Sequence, residues 1–305
     1  MDKQSDFSLL RRCFHGLLRE GESMAGHTTY RIGGPADLYL EPAGLEDLKT
    51  GFRFLEEFQV PGFLLGGGSN ILVSDRGIRG AVVRLNQCCQ GFRRDGTRVE
   101  VGSGVLLEWF LDEAETQGLG GMEFLTDIPG TVGGALRMNA GAWGGDIGQR
   151  VEWIEVLDPG GRIRRLDKSQ VSFHYREARG FDRCVVLGAR LALDRLDPEN
   201  IARERGRLKA LRRERLPLDL PSCGSVFKRS PGAAPPGQLI EEAGCKGLRA
   251  GGAEVSRKHA NFIVNLGGAA AQDVWGLIQE VRRRVRDRSG VDLQPEVEPV
   301  GEFSL

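Results

Sequence analysis

The feature that most restricts how this chain can fold is the uneven placement of its glycines. Of 305 residues 44 are glycine, and 20 of these lie in the 87 positions from Gly62 to Gly148. The usual share of glycine is about 7%. Because there is no Gly-X-Y period and only 13 prolines occur, a collagen-like fibre is excluded. Clustered glycines instead predict a globular protein whose loops bring the backbone close to itself or to a ligand.

Composition excludes several further classes. The 42 basic and 42 acidic residues balance, and 40% of the residues are hydrophobic, so the chain can bury a core. No apolar run approaches the roughly 18–20 residues of a membrane span, and residues 1–13 mix both charges without a secretory apolar segment. We therefore expect a cytoplasmic protein without a membrane partner. Zero net charge also predicts no nucleic-acid partner.

The cysteines and histidines predict neither a disulfide framework nor a metal. The six cysteines show no CxxC spacing, which is typical of reduced cytosolic thiols. Four histidines, at positions 15, 27, 174 and 259, form no HExxH or other short metal-binding spacing.

Hydrophobic periodicity predicts a mixed helix and strand content. We expect helices at 44–59, 106–117, 197–215 and 271–289, and strands at 62–65, 71–73, 81–85, 97–101, 154–157 and 262–265. A hairpin turn is predicted at 158–161. Because no steady βαβ rhythm appears, the fold class is predicted as α+β. The composition changes near residues 197–200, where we place a domain boundary; the basic run that follows is interpreted as a solvated helix face, with phosphorylated-ligand binding as the alternative.

Two loops contain much of the glycine excess. They are Leu65–Asn70 and the stretch from Ile128 to Gly145, and Ser69, Asn70 and Thr131 add short polar side chains. Glycine lets backbone N–H groups converge on an anion, so a dinucleotide pyrophosphate suits these loops; tight turns in a β-rich protein are the alternative. The sequence has no GxxxxGK[ST] motif, and Gly102-Ser-Gly104 lacks the third glycine of a Rossmann motif.

Three polar residues are candidates for catalysis, but their spacing alone does not assign them that role. Ser225 follows a glycine and precedes Lys228 and Arg229, Arg176 follows Tyr175, and Glu296 follows a proline. In isolation, we interpret Ser225 as an ordinary loop serine, Glu296 as a strand glutamate and Arg176 as a surface residue at a strand end.

Eight motifs in a fixed order resemble one family, from about Thr28 to Gly301. They are TTYRIGGPAD at 28–37, GGGSN at 66–70, IPGTVGGA at 128–135, MNAGAWG at 138–144, YRE at 175–177, GSVFK at 224–228, GGAEVSRKHANFIVN at 251–265 and PEV at 295–297. Together they resemble the UDP-N-acetylenolpyruvoylglucosamine reductase (MurB) family of bacterial peptidoglycan synthesis.

The resemblance implies an α+β flavoenzyme in three parts. Residues 1–85 and 86–198 would be two FAD-binding subdomains of the vanillyl-alcohol-oxidase (PCMH) type, and 199–305 a substrate-binding domain. It implies non-covalent FAD, NADPH as reductant, and a nucleotide-sugar substrate whose enolpyruvyl group is reduced to give UDP-N-acetylmuramate. We expect a monomer, and the short distance from Tyr175 to Leu187 implies the form of the family without an extra substrate-capping loop.

The resemblance also implies roles for single residues. The catalytic residues would be Ser225 as proton donor, Arg176 at the substrate carboxylate, and Glu296. The residues implied to bind FAD are Gly66, Gly67, Gly68, Ser69, Asn70, Ile71, Ile128, Pro129, Gly130, Thr131, Gly133, Gly134, Asn139 and Gly141. The residues implied to bind substrate are Tyr175, Arg215, Lys228 and His259. One departure is Asp127, where the family commonly has glycine.

Two alternatives remain at this point. An FAD-linked sugar or alcohol oxidase often has a flavin-tethering histidine at the first glycine loop, which here reads GGGSN without histidine. A non-catalytic nucleic-acid-binding protein would use the basic helix at 202–215 and would bind with a steep salt dependence. That second alternative leaves both glycine loops unexplained.

Overall fold

The computed structural model describes residues 7–304 of the chain. Residues 1–6, which belong to the charged N-terminal segment and to the predicted first subdomain, lie outside the described residues, as does residue 305.

The described helices include all four predicted ones and three short helices that were not predicted. Their bounds are α1 (Phe7–Cys13), α2 (Leu45–Glu57), α3 (Leu107–Thr116), α4 (Val132–Arg137), α5 (Pro198–Arg215), α6 (Pro236–Glu242) and α7 (Ala271–Ser289). In α7 the buried residues recur at helical spacing, including Val274, Ile278, Val281 and Val285. The helix ends at Gly290, whose φ of 72° is the left-handed conformation that glycine adopts without strain.

The strands are mostly short, and every predicted strand is present. Their bounds are β1 (Leu17–Ser23), β2 (Pro35–Glu41), β3 (Gly62–Leu65), β4 (Ile71–Val73), β5 (Ile78–Arg84), β6 (Phe92–Asp95), β7 (Arg98–Gly102), β8 (Leu119–Gly120), β9 (Gly141–Ala142), β10 (Gly145–Asp146), β11 (Val151–Leu157), β12 (Ile163–Asp167), β13 (Ser172–His174), β14 (Glu177–Arg179), β15 (Val185–Ala192), β16 (Asp194–Arg195), β17 (Arg249–Ala250), β18 (Ala253–Val255), β19 (Ile263–Asn265) and β20 (Glu298–Val300). The predicted hairpin turn joins β11 to β12, where Leu157 pairs with Ile163. The α+β class is therefore confirmed.

Contacts divide the chain into two compact units. Of the described residues, unit 1 comprises 7–20, 38–67 and 80–210, and unit 2 comprises 21–37, 68–79 and 211–304. The division into three parts at 85/86 and 198/199 stays a prediction.

Unit 1 contains two hydrophobic cores. The larger surrounds a five-stranded antiparallel sheet of order β12-β11-β15-β7-β6, packed with residues of α3 and α4 such as Phe110 and Leu136. The smaller core joins α1 and α2 to strands β2 and β5 through residues such as Leu10, Leu48 and Val83. In this unit β3 pairs in parallel with β5, and the first glycine loop starts at Leu65, the buried last residue of β3.

Unit 2 has one core, built around α7. Strands β17, β18 and β19 form an antiparallel sheet beside it, and β20 pairs in parallel with β4. Tyr30, Ile32 and Leu72, from the early part of the chain, are buried in this core with Phe227 and Ile278.

The basic helix α5 is only partly the solvated face that its composition predicts. Arg203, Arg207 and Arg213 are exposed, as expected. Arg205 is instead 4% exposed, and its guanidinium bonds Glu115 and Asp112 at 2.5 and 2.6 Å. The interpretation as a solvated face was wrong for Arg205, because α3 presents acidic side chains to it.

The cysteine and charged side chains form no metal site within residues 7–304. All six cysteines are free, and the Sγ atoms of Cys88 and Cys89 lie 3.5 Å apart. No group of three or more His, Cys, Asp or Glu side chains in that range is arranged to hold a metal ion. None of the described helices combines the length and apolarity needed to cross a membrane.

Candidate active site

The two glycine loops meet in unit 1 at a distance that no side chain allows. A Cβ atom added to Gly67 would lie 2.5 Å from the Cα of Gly130, and one added to Gly66 would lie 3.0 Å from Thr131 Oγ1. Real Cβ atoms do not approach backbone so closely, so glycine at position 67 is required by the contact itself. The two glycine loops therefore contact each other at these residues.

The backbone donors around this contact fall into two groups. The N–H groups of Val132, Gly133 and Gly134 bond Val105 O, Ser103 O and Thr131 Oγ1 at 2.9, 2.8 and 3.3 Å. Those of Gly67, Gly130 and Thr131 donate to no acceptor among residues 7–304.

The N–H groups of Gly67, Gly130 and Thr131 suit a diphosphate. Unpaired main-chain N–H groups beside a contact between two glycines form a concavity of the kind that binds anions. The residues present therefore fit FAD. Gly133 serves packing instead, since a Cβ there would lie 2.8 Å from Ser103 Cβ.

Asn139 positions the hairpin that presents Tyr175 and Arg176. Its Nδ2 donates to His174 O at 3.0 Å, and its Oδ1 accepts the Gly148 N–H at 3.0 Å. Tyr175 and Arg176 form the two-residue turn between β13 and β14. The Tyr175 ring is 55% exposed, and the Arg176 guanidinium lies 5.1 Å from its centroid. The side chain of Asn139 is thus already used within the protein.

Arg176 and Asp127 both adopt left-handed backbone conformations. Their φ angles are 56° and 60°, which are uncommon for residues other than glycine. At functional sites such strain is frequently retained because the conformation aims a side chain or shapes a loop. A glycine at position 127 would adopt this φ without strain.

In unit 2 the backbone brings Ser225 and Glu296 onto adjacent segments. The Glu296 N–H donates to Val226 O at 2.7 Å, and the Lys228 N–H donates to Gln294 O at 2.9 Å. Ser225 is half-buried and immediately precedes this pairing. The predicted proton donor and the predicted glutamate are therefore neighbours, although 71 positions separate them in the chain.

Asn261 holds the other side of the Ser225 segment. Its Oδ1 accepts the Phe227 N–H at 3.0 Å, its Nδ2 donates to Phe227 O at 2.9 Å, and its main-chain O accepts the Val226 N–H at 2.9 Å. His259 Nδ1 in turn accepts the Asn261 N–H at 3.2 Å. Desolvation lowers the pKa of His259, against a smaller raising effect of its backbone hydrogen bond, so the neutral acceptor is favoured.

The second half of the first glycine loop also belongs to unit 2. Asn70 Nδ2 donates to Glu296 O at 3.0 Å, and Asn70 O accepts the Glu298 N–H at 2.9 Å. Ile71 is buried in β4 and pairs with Glu298. Gly68 has a φ of 64°, and a Cβ there would lie 2.0 Å from His27 O. The loop is therefore tied by its own backbone to the Glu296 segment.

A buried thiol and phenol lie beside this segment. Burial raises the pKa of Cys223 to about 12; Tyr30 lowers it and the charge of Glu296 raises it. Burial likewise raises the pKa of Tyr30, which is fully buried. Both groups are thus neutral near pH 7, and they support the Ser225 loop as packing residues.

The predicted site residues divide between the units. Unit 1 contains Gly66, Gly67, Ile128, Pro129, Gly130, Thr131, Gly133, Gly134, Asn139, Gly141, Tyr175 and Arg176. Unit 2 contains Gly68, Ser69, Asn70, Ile71, Arg215, Ser225, Lys228, His259 and Glu296. Their individual roles stay predictions.

Sequence reasoning missed three residues at the site. Asn261 lies inside the quoted motif at 251–265, so the motif contained a signal for it, but its partner Phe227 could not be read from spacing. Ser103 and Thr126 are buried, and their hydroxyls have no hydrogen-bond partner among the described residues. Both lie beside the second glycine loop, where the sequence offered no signal for them.

Comparison with known proteins agrees with this geometry. Residues 36–167 match the model of an FAD-binding domain, and residues 216–300 match that of the UDP-N-acetylenolpyruvoylglucosamine reductase C-terminal domain. The chain is 44% identical over 294 residues to UDP-N-acetylenolpyruvoylglucosamine reductase of Heliobacterium modesticaldum, covering 96% of this chain and 94% of that protein. It is 43% identical to that of Rubrobacter xylanophilus, over 92% of this chain and 94% of the relative.

A solved structure agrees as well. The crystal structure of UDP-N-acetylenolpyruvylglucosamine reductase (MurB) from Thermus caldophilus superposes with a TM-score of 0.81 at 35% identity, covering 93% of this chain and all of that one. The predicted fold class, with its FAD-binding region of the vanillyl-alcohol-oxidase type, is consistent with both matched domains. The chain therefore belongs to the UDP-N-acetylenolpyruvoylglucosamine reductase family and is an FAD-dependent oxidoreductase.

Proposed function

We propose that this protein uses NADPH to reduce the enolpyruvyl group of UDP-N-acetylglucosamine-enolpyruvate, giving UDP-N-acetylmuramate for peptidoglycan synthesis. The observation that carries the proposal is the main-chain bond from the Glu296 N–H to Val226 O, which places Glu296 on the segment adjacent to Ser225 in unit 2. The names of the relatives agree with this substrate.

The glycine loops would hold the cofactor non-covalently. The N–H groups of Gly67, Gly130 and Thr131 are the donors assigned to the diphosphate. When bound, FAD would supply the hydride-transfer chemistry that links NADPH to the enolpyruvyl group.

Ser225 is assigned the proton that completes the reduction. Hydride addition to the β-carbon of the enolpyruvyl group leaves negative charge on the α-carbon, which must then accept a proton. Ser225 Oγ is a neutral donor, and Asn261 fixes the segment that follows it through both polar groups of Phe227. Glu296, on the adjacent segment, would assist protonation and orient the intermediate.

The cations are assigned to the anionic parts of the substrate. Arg176, held at a tight turn, would bind the carboxylate, into which the α-carbon charge spreads. Lys228 and the exposed Arg215 would bind the nucleotide phosphates, with Tyr175 and His259 completing the substrate contacts. The expected state is a cytoplasmic monomer.

One anaerobic experiment tests this proposal in two halves. The purified protein should be yellow, NADPH should bleach it, and the enolpyruvyl substrate should restore the colour. In Ser225→Ala bleaching by NADPH should continue at nearly the normal rate, while restoration by substrate should slow by roughly 10²–10⁴-fold, the usual contribution of a positioned proton donor. Stopped-flow absorbance measures both rates.

Ser230→Ala, in the same loop, is the matched control and should change neither rate. A colourless protein that gains no flavin absorbance with added FAD would contradict the proposal. Equal loss of both half-reactions in Ser225→Ala would remove Ser225 from its assigned role.

A further inference from the structure

The N-terminal end of α3 lies directly against the second glycine loop, in unit 1. The Leu107 N–H donates to Gly130 O at 3.0 Å, and Leu106 forms a bridge with Thr131. The next residue, Glu108, is 40% exposed by its side chain, yet it is the most connected carboxylate of the helix.

The two oxygens of Glu108 bind three partners on two different segments of the chain. Oε1 accepts from Lys209 Nζ at 2.5 Å and from the Arg205 guanidinium at 3.1 Å, both on α5. Oε2 accepts the main-chain N–H of Asp127 at 3.4 Å, at the start of the glycine loop. One carboxylate thus connects α5 to the loop.

The other acids of α3 that bind the same arginine make no such connection. Asp112 and Glu115 bond Arg205 at 2.6 and 2.5 Å, and neither bonds the loop among the described residues. Burial lowers the pKa of Arg205, but the bonds to Asp112 and Glu115 and the charges of Glu108 and Asp112 together raise it by more, so the guanidinium stays charged.

The backbone conformation of the second glycine loop at Asp127 requires a stabilising contact from outside the loop. Asp127 has a φ of 60°, and a non-glycine residue retains such a conformation only when its surroundings impose it. Three residues later the loop reaches Gly130, whose N–H is one of the donors assigned to the diphosphate.

We propose that Glu108 is a positioning residue for the cofactor: clamped by Arg205 and Lys209, it fixes Asp127 and thereby the FAD-binding loop. This inference rests on the proposed assignment of that loop to FAD. Only a carboxylate can bind both the cations of α5 and the Asp127 N–H, because both of its oxygens are acceptors. A glutamine would present its NH₂ group to one of them.

Two measurements test this inference. Flavin fluorescence during titration of the apoprotein gives the FAD affinity, and thermal unfolding without FAD gives the melting temperature. In Glu108→Gln the dissociation constant for FAD should rise about tenfold, since the hydrogen bond that the Asp127 N–H donates to a charged group is lost. The controls Asp112→Asn and Glu115→Gln also remove a partner of Arg205. They should lower the melting temperature similarly but leave the dissociation constant within about twofold of wild type.

A second pair of variants covers the case that Glu108→Gln does not fold. Arg205→Met removes the buried charge, so in Glu108→Gln/Arg205→Met no guanidinium is left uncompensated. FAD should bind Arg205→Met more tightly than the double variant.

Equal FAD affinity in Glu108→Gln and the two controls would overturn the inference and leave the proposed function intact. Equal affinity in Arg205→Met and the double variant would do the same. Failure of the wild-type protein to bind FAD would instead overturn both.

Discussion

At the scale of single residues, glycines of this chain are needed for two distinct reasons: close backbone contact and left-handed backbone conformation. Gly67 is required because Gly130 Cα would lie 2.5 Å from any Cβ, whereas Gly290 is suited to its place by its φ of 72°. Asp127 shows the converse, since it adopts the left-handed conformation without being glycine. Position therefore decides the function of a glycine, and abundance alone does not.

Gly67→Ala should weaken FAD binding at least tenfold, because the added methyl group must displace the backbone of Gly130. Such overpacking typically lowers the free energy of unfolding by about 1–3 kcal/mol. Titration of the apoprotein with FAD and chemical denaturation measure the two effects.

The matched control is Gly206→Ala, an exposed position inside α5 where nothing lies within 4 Å of the added Cβ. It should raise the free energy of unfolding by roughly 0.5–1 kcal/mol, because alanine is the better helix former, and leave FAD affinity unchanged. If Gly67→Ala and Gly206→Ala have the same FAD affinity and the same stability, FAD binding by the loop does not depend on the close contact at Gly67.

At the scale of elements, the Ser225 segment is held by two other segments rather than by regular secondary structure. Residues 294–296 pair with it on one side, and Asn261 binds Phe227 on the other. His259 supports Asn261 by accepting its N–H, and only the neutral imidazole can do this with Nδ1. The segment is therefore sensitive to the charge of one histidine.

This sensitivity predicts a pH dependence of stability. Desolvation lowers the pKa of His259 in the folded state, while the unfolded value is about 6.5. Below that value the unfolded chain binds more protons than the folded one, so the contribution of His259 is full above about pH 6.5 and is lost as the pH falls toward the folded pKa.

His259→Gln should accordingly be less stable than wild type at pH 7.5, by about 1 kcal/mol, for the lost hydrogen bond. The difference should narrow as the pH is lowered to about 5. Urea denaturation of both proteins across this range measures it, and a difference that stays constant with pH would contradict the assignment.

At the scale of the whole molecule, neither compact unit is a continuous piece of chain. The chain passes from one unit to the other at 20/21, 37/38, 67/68, 79/80 and 210/211. The core of unit 2 accordingly includes Tyr30, Ile32 and Leu72 beside residues from the last hundred positions. Sequence order thus does not separate this unit from the rest.

We therefore expect the fragment 211–305 not to fold when it is produced alone. It lacks Tyr30, Ile32 and Leu72, each of which contributes roughly 1.5–3 kcal/mol when buried, out of a usual total of about 5–15 kcal/mol. It also lacks β4, the partner of β20. Circular dichroism should show no cooperative melting, and a sharp thermal transition in the fragment would contradict this expectation.

The sequence by itself determined the longer helices, several strands, the fold class and the family. Helix α7 and strand β3 occupy the predicted positions because hydrophobic periodicity and terminal glycine signals are local. The glycine clusters predicted close backbone approach, and ordered motifs predicted the family, which the comparisons confirm.

Only the tertiary structure decided which residues meet. Glu296 lies beside Ser225 because Val226 accepts its N–H, and Gly67 faces Gly130 across 63 positions of chain. Arg205 was interpreted as solvated, yet it is buried among the acids of α3, since charge pairing between two helices depends on their packing. Such contacts join residues far apart in sequence, and local patterns of residue type contain no information about that pairing.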